Sequence, residues 1–554
     1  VVGVAVDFHG LRYNCAAAIA GGQILALVPK EKLPTYNIFY EGRTFARGII
    51  AGGVDMVRGV PFGDLILECD FGRVALEVCE DLWSPDGPMG RRAYSGAELV
   101  CNVSASPYRV GVVQTRRELI ATRAADHQVT IAYSCQVGAN DGLIFDGGGY
   151  VNQNGKPMLD APRWREGWAA VTVDLDRTAR HPTQNSTGRA DPEPWAAAND
   201  PVPVLPVSPD LLDTAPGRAG LTYPVPPSRS FFLPADEPRP SAKSAFCEDI
   251  LDALAMGVGD YFEKNPFFDV LGIALSGGRD SLLTLLVAHR YAARVRPENP
   301  GSLIRAFTMP SQHTSDETFD AAQTICADLG VPLVVVPIAE AYQRELEAAE
   351  TMLAGEANPI TRQNIQARIR GQRMWNWSNT SRGLFLQTGN MSEKAVGYTT
   401  IGGDLEGALG VLANVPKTVV MYLLDYLLEQ TGHQGIAKVL AKPAGPELAP
   451  NQVGEHELLP VPILDACFHL FAAEKLLTDE VEAVVAAMFP ELPAADIHAY
   501  VEKFTRMFLS NIYKWVQAPI SLHIGNLDLD RERALQLPVV QDKSWTLGGR
   551  DAGE

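Results

Sequence analysis

The sequence predicts an α/β protein of two domains: a layered, partly antiparallel domain, then a doubly wound parallel sheet. Three observations carry this. A chain of 554 residues exceeds one ordinary core, and 46% hydrophobic with 20% charged residues is a globular composition. Residues 1 to about 180 alternate short β-rich runs with helical stretches. From about residue 244 strand and helix patterns succeed one another as βαβ units.

In the first region "VVGVAV", "QILALVPK", "RVALEVCE", "ELVCNVSAS", "VTIAYSCQVG" and "WAAVTVDL" read as strands, and "TRRELIATRAADH" (115–127) as a helix with an apolar stripe. Residues 183–243 are dense in Pro, which removes donors and breaks periodicity, and read as a linker. The aromatic residues Tyr223, Phe231 and Phe232 suggest that this linker packs against something. Beyond it come helix "FCEDILDALAMGVGDYFEK", strand "VLGIALS", a glycine turn and a helix. Strand "IRAFTMP", helix "DETFDAAQTICADLG" and strand "VPLVVVPI" follow, and the region after 410 is mostly helical. The expected domains are therefore 1–182 and 244–554, joined by 183–243.

A formal charge of −19 argues against nonspecific binding of nucleic acid or acidic membranes. No apolar run reaches the roughly 18 residues of a membrane span. The eight cysteines are scattered without a CxxC pair, so reduced thiols in a cytoplasm are expected. The opening "VVGVAVDFHG" lacks the basic start and cleavage site of a signal peptide. It has no initiator Met and begins in a β-like run, so the expectation is a domain entered part-way.

Two short stretches carry chemistry. Ser276-Gly277-Gly278-Arg279-Asp280-Ser281 lies between a buried strand and an amphipathic helix. Glycines let backbone approach an anion, and the helix N-terminus offers free N–H groups. The string is neither Walker A nor GxGxxG, and by itself it also reads as a strand-to-helix turn with an Asp-Ser cap. In "VALEVCEDLWSP" (74–85), Cys79 closes a strand. A lone Cys is most often a small buried apolar residue; a thiol nucleophile is the other reading. Lys30, at the end of an earlier strand, is either a solvated loop lysine or a cation that stabilises an oxyanion and a nearby thiolate.

The hexapeptide resembles the SGGxDS loop of ATP-pyrophosphatases, which adenylylate an acceptor oxygen and release pyrophosphate. "QNIQARIRGQRMWNWSN" (363–379), "LQTGNMSEKAVGYTTIGGDLEGAL" (386–409) and "VPKTVVMYLL" (415–424) resemble the ammonia-transferring domain of NAD synthetases. The resemblance implies ATP contacts from Ser276, Gly277, Gly278, Asp280, Ser281, Thr388 and Lys417. It implies Mg²⁺ held by Asp280 and Glu393, and deamido-NAD held by Asn364, Arg368 and Asp404. Hard carboxylate oxygens suit Mg²⁺, and a lysine suits a developing pyrophosphate. Three departures are visible: Arg279 where an apolar residue is common, Met391 where many members carry Lys, and Gly445 where a hydroxyl is common. Arg279 either reaches a phosphate or points to solvent. The stretch 518–540 resembles the C-terminal tail of some bacterial members.

"LALVPKEKLPTYNIFYEGRTFARG" (25–48) followed by CEDLW resembles the nitrilase-type glutamine amidohydrolase domain fused ahead of glutamine-dependent NAD synthetases. The implied fold is an incomplete nitrilase-like α-β-β-α sandwich followed by a doubly wound ATP-pyrophosphatase (adenine nucleotide α-hydrolase-like) domain. Cys79 and Lys30 are then catalytic, while Tyr36, Glu80 and Ser104 line the glutamine pocket. The family's general-base Glu precedes the lysine on the first βα segment, and no position here matches it. Glu41 is expected to support Lys30. The implied reaction is ATP-dependent amidation of deamido-NAD with ammonia from glutamine, in a cytoplasmic homo-oligomer. Another pyrophosphatase-loop amidotransferase, or a nucleotide-binding protein without turnover, are the competing readings.

Overall fold

The computed structural model describes residues 1–48, 53–140, 142–184, 192–212, 221, 240–442, 448, 458–517, 521–527 and 529. The chain divides into two compact units, one of residues 1–138 with 145–239, the other of 139–144 with 240–554.

In the first unit β1 (Val2–Phe8), β2 (Leu11–Ala20), β3 (Gln23–Pro29), β4 (Val54–Val57) and β5 (Val60–Gly63) form a sheet in the order β1-β2-β3-β5-β4. The small residues of β2 make this possible: Ala16 and Ala18 pack on one face, Cys15 and Ala17 on the other. A second sheet contains β6 (Ile66–Cys69), β7 (Gly72–Val78), β8 (Leu99–Ser104) and β9 (Thr130–Cys135). β10 (Val137–Asn140) pairs with β11 (Leu143–Asp146) as a ribbon, and β12 (Gly149–Gln153) with β13 (Lys156–Asp160) extends the second sheet beside β9. β6, β7, β8 and β9 place Cys79 and Ser104 at neighbouring strand ends, because β7-β8-β9 run parallel and in register. The two sheets share a core of Ala16, Val28, Leu67, Val74 and Leu76. Helix α1 (Val112–Asp126) covers the far face of the second sheet with Ile120 and Ala124.

Three expectations are corrected here. "WAAVTVDL" is not a strand: residues 168–174 carry no regular secondary structure and join no sheet, and Trp168 is 91% exposed. A β-rich string without a face to bury gains nothing from pairing. The expected linker carries ordered structure at its start, where β14 (Val204–Pro206) adds in parallel to β6. It is an edge strand, the position in a sheet that tolerates Pro. Tyr223, Phe231 and Phe232 lie outside the described residues. The stripe of α1 is not wholly apolar, since Arg116 is fully buried in it and donates to Asp146 at 2.7 and 2.9 Å.

The second unit is built on a parallel sheet of β15 (Val270–Ala274), β16 (Ile304–Thr308), β17 (Leu333–Val335), β18 (Gly383–Gln387) and β19 (Leu409–Gly410), ordered β17-β16-β15-β18-β19. The order reverses between β15 and β18, and ligands of such sheets bind outside the strand C-termini at that switch point. Helices α2 (Ala242–Glu263) and α3 (Arg279–Val295) pack on one face, α4 (Asp316–Asp328) beside them. Helices α5 (Ala339–Leu353) and α6 (Pro359–Ser381) cover the other. There Trp377 lies flat against two strands: a Cβ on Gly272 would come within 1.9 Å of its ring, and one on Gly383 within 2.2 Å. Only glycine fits either position. Helices α7 (Met391–Ala395), α8 (Lys417–Thr431) and α9 (Gln434–Leu440) follow, then α10 (Val461–Phe468), α11 (Thr478–Met488) and α12 (Ala494–Asn511). The last three share an apolar core with Met391. All eight cysteines are free, and among the described residues no helix is long and apolar enough to cross a membrane.

Candidate active sites

In the first unit β7 stops at an elbow. Cys79 has φ 45° and ψ −100°, a region that non-glycine residues occupy only when the surroundings enforce it. Its N–H donates to the Val103 carbonyl at 3.1 Å, and Asn102 Nδ2 donates to its carbonyl at 3.4 Å. The main constraint is Asp81, 2% exposed. Asp81 Oδ1 accepts the N–H groups of Glu31 and Lys32 at 3.0 and 2.9 Å, and Oδ2 accepts that of Val78 at 3.3 Å. One carboxylate thus ties the segment after Lys30 to the segment before Cys79. Beneath it, Arg92 bonds Asp64 at 2.8 Å, and Arg91 bonds Asp64 at 2.6 Å and also Glu31.

Burial pushes the Cys79 thiol up, while the Lys30 ammonium and a Ser104 hydrogen bond pull it down. Lys30 is itself buried and donates to Glu41, whose other oxygen accepts from Asn14 at 2.6 Å. Glu41 therefore sits on Lys30, and Tyr36 donates to Glu80 at 3.0 Å. Cys79, Lys30, Tyr36, Glu80 and Ser104 are all brought into one electrostatic neighbourhood. Glu77, fully buried two residues before the cysteine, is raised to about 8 by burial against the pull of Arg92.

In the second unit the hexapeptide forms a tight loop at the N-terminus of α3. Ser276 and Ser281 hydroxyls are 3.0 Å apart, and Ser276 Oγ accepts the Gly278 N–H at 3.2 Å. Gly277 has φ +77°, and a Cβ there would lie 2.5 Å from Thr318. Across the switch point, Asn390 caps α7 by accepting the Glu393 N–H at 3.0 Å and donates to Asp280 at 3.1 Å. Lys417, at the first turn of α8, donates to Asp280 and, at 3.3 Å, to Glu393. Burial works against the Lys417 charge, but Asp280 and Glu393 outweigh it and raise its pKa.

A cavity of about 230 Å³ opens beside this cluster, lined by Ser276, Thr388, Phe307, Arg370, Asp404 and Glu406 among others. Asn364 accepts from Thr400 Oγ at 2.8 Å, Thr400 N–H reaches Asp404, and Arg368 donates to the Ile401 carbonyl at 3.1 Å. The three residues expected at deamido-NAD thus converge on one loop. Asp404 lines the cavity, where desolvation by the surrounding protein raises its carboxyl above the usual carboxylate range.

Arg279 does not simply point to solvent: half-buried, it donates to the Lys442 carbonyl at 2.9 Å. Met391 is 4% exposed and belongs to the helical core, which explains an apolar residue there. Gly445 and most of 518–540 lie outside the described residues. Sequence reasoning missed Asp81, Asn102 and Asn390. Only Asn390 left a signal, the Asn-x-x-Glu spacing of a helix N-cap.

The carbon-nitrogen hydrolase family model matches residues 9–182 and the NAD synthase model residues 250–504. Fold and matches together define the class, a carbon-nitrogen hydrolase domain joined to an NAD synthase domain. The glutamine-dependent NAD(+) synthetase of Thermotoga maritima is 32% identical over 523 residues, 94% of this chain and 81% of that protein. That of Aquifex aeolicus is 32% identical over 92% of this chain and 80% of its own length. The solved glutamine-dependent NAD+ synthetase of Acinetobacter baumannii, in complex with adenosine diphosphate, is 26% identical with a TM-score of 0.62, covering 97% of this chain and 83% of its own. The chain belongs to the glutamine-dependent NAD(+) synthetase family.

Proposed function

We propose that this chain amidates deamido-NAD to NAD at the expense of ATP, with ammonia taken from glutamine, and that the two residue clusters described above are its active sites. The observation that carries the reading is the convergence of Asp280, Glu393 and Lys417 at the N-terminus of α3, beside a cavity at the switch point.

In the glutaminase half, Cys79 Sγ attacks the glutamine carboxamide carbon. The C–N bond breaks, ammonia leaves, and water then cleaves the thioester to glutamate. Lys30 holds the thiolate and the developing oxyanion, while Tyr36, Glu80 and Ser104 line the pocket. In the synthetase half, the nicotinate carboxylate oxygen attacks the α-phosphorus of ATP and pyrophosphate departs. Ammonia then attacks the acyl-adenylate carbon and AMP leaves. The Gly277 backbone, the first-turn N–H groups of α3 and the Lys417 ammonium meet phosphate charge, with Ser276, Gly278, Ser281 and Thr388 beside them. Asn364, Arg368 and Asp404 hold the dinucleotide.

Asp280 and Glu393, two hard carboxylates that share the Lys417 ammonium, are the residues that would hold Mg²⁺, with phosphate oxygens and waters completing its shell. Bound there, the ion would supply charge neutralisation of the departing pyrophosphate. Free reduced cysteines fit a cytoplasmic setting, and the family resemblance supports a homo-oligomer.

The test is NAD formation from deamido-NAD, ATP and Mg²⁺, fed in parallel with glutamine or ammonium. NAD from ammonium, untouched by Cys79→Ala, is expected; any NAD from glutamine must vanish in that variant. A chain that binds ATP but makes NAD from neither source refutes the reading.

A further inference from the structure

We propose that Asp465 is a positioning residue for the ATP-dependent half-reaction, locking the segments that carry Glu393 and Lys417 into one spatial relation. The inference rests on the synthetase reading given above. Asp465 lies on α10, outside every sequence block that marks the site, and it touches neither the phosphate loop nor the cavity.

Its geometry is specific. One carboxylate oxygen accepts the Ser392 hydroxyl. The other accepts the Thr418 N–H at 2.9 Å and the Thr418 hydroxyl at 2.7 Å. Ser392 immediately precedes Glu393, and Thr418 immediately follows Lys417. The ring is closed by Ser392 Oγ, which accepts the Lys417 N–H at 2.8 Å. A simple helix cap explains only half of this. α8 begins after Pro416, which has no side chain to cap it, and Asp465 supplies that acceptor from another helix. The second oxygen, and the return bond from Ser392 to Lys417, connect that cap to α7. Both oxygens are engaged by these donors, and Asp465 does not line the cavity. Its effect on the reaction passes through the two side chains on either side of it. Their relative placement decides whether one Lys417 ammonium reaches both Asp280 and Glu393.

The experiment measures ammonium-dependent NAD formation in Asp465→Asn, with Mg²⁺–ATP and deamido-NAD varied separately, and the rise in melting temperature that Mg²⁺–ATP induces. Asn turns an NH₂ toward one set of donors, so the ring opens while the volume is kept. The expected result is a tenfold or greater loss of kcat, a KM for deamido-NAD within twofold of wild type, and a smaller Mg²⁺–ATP-induced shift. Ser392→Ala should lower kcat in the same pattern, and the double variant should be no worse than Asp465→Asn. A folded Asp465→Asn with kcat within twofold overturns the proposal, as do losses that multiply in the double variant. Should Asp465→Asn fail to fold, Ser392→Ala and Thr418→Val decide: unchanged kcat in both overturns it. A wild-type chain that makes no NAD from either ammonium or glutamine overturns the functional reading instead, and the Mg²⁺–ATP-induced melting shift still tests the Asp465 ring.

Discussion

Replacing Asp81 by Asn separates two opposing contributions of one buried carboxylate. The amide keeps an oxygen for the Glu31 and Lys32 N–H groups but turns an NH₂ toward the Val78 N–H, at a cost of about 1–2 kcal/mol. Against this stands the charge itself. Burial raises the Asp81 carboxyl from 3.8 to about 6, outweighing the hydrogen bonds and Arg92 that pull it down. At about 1.4 kcal/mol per tenfold, ionised Asp81 disfavours the folded state by about 3 kcal/mol at neutral pH. Because the folded pKa lies above the unfolded one, this contribution to stability is full below about pH 4 and is lost as pH rises through about 6. Asparagine has no such proton. The stability of wild type relative to Asp81→Asn should therefore fall by up to about 3 kcal/mol between pH 4 and pH 7. The variant should be the weaker at pH 4 and the equal or the stronger at pH 7. Urea unfolding at each pH, followed by dithiodipyridine labelling of the buried Cys15 thiol resolved from the other seven cysteines by peptide mass spectrometry, reads the first unit. A difference that stays flat from pH 4 to 7, or that grows, would refute the electrostatic argument.

Other outcomes follow from the same geometry. Lys30→Met removes the cation that lowers the Cys79 thiol, so iodoacetamide should label Cys79 about tenfold more slowly near pH 8. Lys417→Met should lower ammonium-dependent kcat by about 10²–10³-fold while leaving Cys79 labelling unchanged, and a loss below threefold would remove Lys417 from the reaction. Gly277→Ala forces a Cβ into Thr318 at a left-handed position; it should cost about 1–3 kcal/mol of stability and weaken ATP binding measured by calorimetry.

The sequence showed local backbone conformation wherever it is written in contiguous residues. The glycine loop, the TGNMSE cap and the Cys-Glu-Asp turn each set a local backbone conformation, so their spacing survives translation into structure. What remained illegible depends on partners far apart in the chain. Nothing near Asp81 announces that it accepts N–H groups 49 and 50 residues away, and nothing near Arg92 announces Asp64. The stripe of α1 misled for the same reason: Arg116 sits at an apolar-looking position because Asp146 waits beneath it. The reading of 168–174 as a strand failed on the reverse ground. Its composition suits a sheet, but strand formation needs a neighbour as well as a propensity. Pro206 shows the complementary case, where a residue that argues against a strand is admitted at its edge.

The indole of Trp377 has a consequence for how this chain can change over time. It occupies the space of two side chains at once, on adjacent strands and 111 positions apart in sequence. Neither Gly272 nor Gly383 can drift alone, and a smaller residue at 377 would release both together. The three positions form a single unit of inheritance. Aligned descendants should keep the trio intact or exchange it as a set, and a library that randomises position 272 should recover non-glycine residues only from clones that have also lost the tryptophan.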